Sequence, residues 1–120
     1  MSDLIARLEA LTGPDREVDE AIACLIAQPH PKHGKPIGML YCARYTSLID
    51  SALVLLPPGW EAHTLAFPQG AGRSYGFEIY PPSGHAAWKN GSVIGRGANA
   101  AIAICVAALM ARQAAEVQNV

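Results

Sequence analysis

Two cysteines and two histidines, Cys24, His30, His33 and Cys42, lie close together in the chain and are of the types that hold zinc. Their spacing, C-x5-H-x2-H-x8-C, matches no common zinc module. Cys24 and Cys42 also sit in apolar runs, "AIACLIA" and "IGMLYCA". The plainer expectation is two buried thiols and two solvent-facing loop histidines. His30 and His33 are then the candidate ligands only of an alternative, metal-binding reading.

Other groupings point to chemistry less directly. "QGAGRSYG" carries Gly70, Gly72 and Gly76, but a phosphate-cradling loop follows a strand and opens a helix. Here a strand follows, so a hairpin tip is expected, with Arg73 on it. Glu61 and Glu78 fall on neighbouring predicted strands and can face each other, yet both read as solvent-facing strand residues. A Cys–His pair from Cys42 with His63 or His85 would need tertiary proximity that spacing does not reveal. Trp60 and Trp88 flank the β region, and Tyr75 and Tyr80 lie within it. Aromatic residues at such positions are core or edge packing, or, where exposed, an interaction surface. Trp60, Tyr75, Trp88 and Arg73 are the residues expected to form that surface if one exists. No motif calls for a cofactor.

The elements that must position these residues follow from the chain's patterning. It has 120 residues, 51 % hydrophobic and 16 % charged, with a net charge of −1. That describes one globular domain over residues 1–120, long enough to bury a core without a disulfide or metal. Near-neutral charge argues against a dedicated nucleic-acid binder. Six of the ten acids lie in the first 20 residues, and between 32 and 96 six bases face three acids. Acidic residues in the first turns of helices explain the first bias. Three cysteines without a CxxC pair fit reduced thiols in a reducing compartment. No secretory leader is evident, because residues 2–11 carry charge throughout.

"SDLIARLEAL" predicts a first helix, capped by Ser2, with Leu4, Ile5, Leu8 and Leu11 as its stripe. A second helix follows "TGPD", with Thr12 expected as cap, Asp15 in the capping-box position, and Val18, Ala21, Ile22 and Leu25 inward. Residues 28–38, "QPHPKHGKPIG", read as a loop. A third helix is expected from Thr46 or Ser47 to Leu56, ended by Pro57-Pro58-Gly59. "RSYGFEIYPP" alternates as a half-buried strand, "WEAHTLAF" suits its partner, and "HAAWKNGSVIG" can supply a third strand. The run Ala100–Ala111 has 12 apolar residues, too short for the ~20 needed to span a bilayer. It reads as a buried helix capped by Asn99, with Cys105 as packing. The fold class is α+β: a small three-stranded antiparallel sheet sandwiched between helices, in the order helix-helix-helix-strand-strand-strand-helix.

Three blocks, "LIARLEALTGPDREVDEAIACLI" (4–26), "YTSLIDSALVLLPPGW" (45–60) and "GANAAIAICVAALMARQA" (97–114), taken in this order, resemble the phage ABA sandwich domain, found in small proteins of tailed phages and prophages. The "TGPDRE" turn and "LIDSALVLLPPGW" are the more specific parts. The chain departs from the family's pattern in its long "QPHPKHGKPIGML" loop and in Asn99-Ala100, where Thr-Pro is expected. The resemblance implies a helix–sheet–helix sandwich and no activity, since the family is one of unknown function.

The expectation is thus a non-enzymatic accessory or protein-interaction module of phage or prophage origin, in the cytoplasm of a bacterial host. Its partner would be a host or phage protein, or a second copy, and not a membrane or nucleic acid. A metal-binding module or enzyme using His30 and His33 is the first alternative. A weak nucleic-acid binder using Lys32, Lys35, Arg44, Arg73 and Arg96 is the second.

Overall fold

The computed structural model describes residues 2–26, 43–67, 74–81 and 92–118. Helix α1 (Ser2–Ala10) buries Ile5 and Leu8, one turn apart on its apolar stripe. Helix α2 (Arg16–Ile26) starts differently from expectation. Asp15, not Thr12, is its cap: the Asp15 Oδ1 accepts the backbone N–H groups of Glu17 at 2.9 Å and Val18 at 3.2 Å. Asp15 stands immediately before the first helical residue, so its short side chain reaches the orphan donors that Thr12, three residues earlier, cannot.

The buried face of α2 is also rotated. Val18, Asp19, Ile22 and Ala23 point inward, whereas Leu25 and Cys24 are exposed. The expectation that Cys24 is a buried thiol is therefore corrected. Apolar flanking residues do not bury a side chain on a helix when the inward arc falls one position away. Cys42 lies outside the described residues.

Helix α3 is a short element (Ile49–Leu53) inside the longer helix expected there. Before it, the N–H groups of Ser47 and Leu48 both bond to the Arg44 carbonyl; after it, Leu55 and Leu56 bond three residues back, to Ala52 and Leu53. These tighter turns cannot be prolonged, because Pro57-Pro58 removes two donors. Trp60 N–H closes on the Pro57 carbonyl at 3.2 Å, and Gly59 has φ 85°, which makes Pro57–Trp60 a type II turn. Ala52 and Leu55 are buried from this segment.

Strands β1 (Glu61–Ala66), β2 (Tyr75–Tyr80) and β3 (Val93–Gly97) form an antiparallel sheet in that order. Phe77 faces Gly95, and Ile79 faces Val93, on the buried side; Glu78 faces Ile94, and Gly76 faces Arg96, on the other. The β1–β2 register slips by one residue between Ala62 and Thr64, so His63 is a bulge residue on an edge strand.

Helix α4 (Ala100–Gln118) is capped as expected: Asn99 Oδ1 accepts the Ile102 N–H at 2.7 Å. Residues 101–109 and 111 are buried. That continuous burial follows from its position, since α4 packs on β2 and β3 and also on α1 and α3. Small residues make the approach to the sheet close. A Cβ at Gly95 would stand 2.3 Å from the Ala107 nitrogen and 2.4 Å from the Ala103 oxygen. One at Gly97 would stand 2.5 Å from the Ile102 Cγ2. The protein is thus α+β; among the described residues, three helices precede the sheet and one follows it. No helix among the described residues is long and apolar enough to cross a membrane.

Candidate functional site

Two polar groupings stand out, one inside the molecule and one on the sheet. The inner one is built on Asp19, whose side chain is fully buried. A carboxylate removed from water needs partners. Asp19 Oδ1 accepts the Thr46 hydroxyl at 2.7 Å and the Thr46 N–H at 2.8 Å, while Oδ2 accepts from Arg16 at 3.0 Å. Thr46 continues the network: its Oγ1 accepts the Asp15 N–H at 2.9 Å, and its carbonyl accepts from Asn99 Nδ2 at 3.0 Å. The Cys105 thiol donates to the neighbouring Tyr45 carbonyl at 3.2 Å. One residue, Thr46, therefore joins α2 to the capping residue of α4.

Cys105 shows what this interior does to a titratable group. Burial, helped by the nearby Asp19 charge, pushes its thiol from 9.0 up to about 12; its backbone hydrogen bond acts the other way. A thiol held protonated is a poor nucleophile. Cys105 is packing with one polar contact, as its place in the apolar run suggests.

The outer grouping lies on the sheet face turned away from α4. His63 Nδ1 is 3.4 Å from Glu78 Oε1 and 2.9 Å from Thr64 Oγ1, and Ser92 donates to Glu78 Oε2 at 3.0 Å. The His63 ring meets Tyr80 edge-on at 4.8 Å. Histidine, carboxylate and serine together suggest nucleophilic catalysis, but the order is wrong. A histidine activates serine by accepting its proton directly. Here both His63 and Ser92 address Glu78, and Ser92 has its bond directed at the carboxylate. This is a surface network, worth little to stability. Ile94, 46 % exposed, and Tyr80, 37 % exposed, add apolar surface to the same face.

The expected site residues are distributed as follows. Trp60 is 8 % exposed and belongs to the core. Tyr75 is half-buried on the α4 side of the sheet, with Phe67 edge-on at 5.7 Å; Phe67 itself is 66 % exposed. Trp88, Arg73, His30 and His33 lie outside the described residues, as do Gly70, Gly72, His85, Lys32 and Lys35. Glu61 pairs with Tyr80, and Glu78 with Thr64, so the two carboxylates do not face each other across the strands. Among the described residues, no three metal-binding side chains converge.

Asp19 is the residue that sequence reading misses. Its signal is the inward spacing 18, 19, 22, 23, obscured by acidic neighbours at 15, 17 and 20 that suit a solvated first turn. Compared with protein families, characterised proteins and solved structures, the chain matches none.

Proposed function

We propose that this chain is a non-enzymatic accessory module that binds another protein through the face of its sheet opposite α4. The observation that carries this reading is the set Tyr80, Ile94 and His63, exposed together on a sheet whose other side is packed on α4. Exposed aromatic and aliphatic groups rimmed by charge, here Glu78 and Arg96, are the usual chemistry of an interaction surface. The polar groups support structural roles: Asp19 is spent on Thr46 and Arg16, and Ser92 on Glu78.

The resemblance to the phage ABA sandwich domain supports a phage or prophage origin and action in the bacterial cytoplasm; both stand as part of this proposal. The test is affinity capture from bacterial lysate, with and without phage infection, using the native chain and an Ile94→Glu/Tyr80→Ser variant whose melting is first shown to be cooperative. A partner retained by the native chain and lost by the variant supports the reading. Absence of any enriched protein, together with a monomer in light scattering, overturns it.

A further inference from the structure

A recess lies where the turn after α1 meets the start of β2 and the end of β3, beside the Tyr80–Ile94 surface, with which it shares Arg96. It is a cleft of about 570 Å³ lined by Glu9, Leu11, Thr12, Ser74, Arg96 and Gly97. That volume is within the range of small-molecule sites, roughly 300–1,000 Å³. It is assembled from segments distant in sequence: Glu9 from α1, Thr12 from the α1–α2 turn, Ser74 from just before β2, and Arg96 from β3.

The two charges are of opposite sign and are not spent on each other. Among the described residues neither Glu9 nor Arg96 forms an ion pair. Nor does either Thr12 or Ser74 form a side-chain hydrogen bond among those residues. The Arg96 guanidinium lies over Gly76, where a Cβ would stand 3.9 Å from Nη1, an ordinary contact distance. Leu11 supplies apolar surface to the cleft.

We propose that this cleft binds a small zwitterion, a free amino acid or dipeptide. Arg96 takes the carboxylate through paired N–H donors, Glu9 takes the ammonium group, and Leu11 meets the side chain. An arginine fork suits a carboxylate, and an acidic group in the lining of the same cleft disfavours a polyanion such as a nucleotide. Thr12 and Ser74 hydroxyls complete the hydrogen bonding.

The experiment is a backbone-amide NMR titration of the full chain with L-leucine and with glycyl-L-leucine. Acetate and methylammonium serve as single-charge controls. Saturable shifts at Thr12, Ser74 and Gly97 with the zwitterions, but not with either control, are expected. Arg96→Gln and Glu9→Gln are each expected to weaken binding about tenfold, the effect of losing one charge-assisted hydrogen bond. Both positions are exposed, so both variants should keep the native melting profile. Acetate shifting the same amides as strongly as leucine overturns the zwitterion assignment. Binding unchanged in both variants, or no shifts at about 50 mM ligand, above the ~1 mM range of weak small-molecule binding, overturns the site.

Discussion

The Asp19 carboxylate and Thr46, 27 residues apart, meet through two hydrogen bonds to one oxygen, at 2.7 Å from the hydroxyl and 2.8 Å from the backbone N–H. Both residues are fully buried. Thr46 also reaches Asp15 and Asn99, the caps of α2 and α4, so this contact sets how two helix starts sit against each other.

Thr46→Val keeps the shape of the side chain and removes the hydroxyl. Asp19 then loses a buried partner, and the variant is expected to be about 1–3 kcal/mol less stable by urea denaturation. Asp19→Ala should cost at least as much, because it strands the Thr46 N–H and leaves a void. A Thr46→Val midpoint equal to that of the native chain would show that the contact contributes no stability.

Cys105 predicts an alkaline weakness. Its folded-state pKa is raised to about 12 from 9.0, so the fold favours the neutral thiol. The unfolded chain ionises from pH 9.0 upward, while the folded chain does not until about 12. The stability this confers is complete below 9.0 and is lost as pH rises toward 12. Within that window the unfolding constant should rise about tenfold per pH unit from this group alone. Cys105→Ala should flatten that part of the profile relative to the native chain. Parallel profiles for the two proteins, measured by chemical denaturation, would contradict it.

Gly95 and Gly76 are predicted to differ sharply. A methyl group at Gly95 meets backbone atoms of Ala103 and Ala107 that cannot rotate away, whereas one at Gly76 meets Ala66 and Arg96 at ordinary contact distances of 3.8 and 3.9 Å. Gly95→Ala should therefore destabilise by about 1–3 kcal/mol or more. Gly76→Ala should stay within about 0.5 kcal/mol of the native chain, apart from a small change in strand propensity. Thermal melts of the pair read this directly.

At Gly59, φ is 85°, a backbone conformation costly for residues with a Cβ. Gly59→Ala is expected to cost about 1–2 kcal/mol. Circular-dichroism melts would show the loss, and an unchanged melting temperature would mean that the turn relaxes at no cost.

Much of the fold is legible because its signals are local. The alternation of Tyr75, Phe77 and Ile79 marks β2, and the all-round apolarity of residues 100–111 marks a helix buried on more than one side. Asn99 reads as a cap from its position alone, as does the stop at Pro57-Pro58-Gly59. The candidate site is less legible. Trp60 reads as either core or surface, and only its burial in the folded core decides for core. His63 and Ile94 carry no pattern that marks them out, since their exposure depends on which side of the sheet α4 takes.

By itself, the sequence determines which segments are helix or strand, that α4 is buried, and that no charge bias calls for nucleic acid. Those properties depend on periodicity and composition within a few residues. The tertiary structure alone decides that Asp19 is inside, that Cys24 is outside, and that Glu9 and Arg96 share a cleft. Each depends on the rotation of one element against another. That rotation is chosen by contacts such as Asp19 with Thr46 and Gly95 with Ala107, between residues far apart in the chain, where the sequence carries no spacing to read.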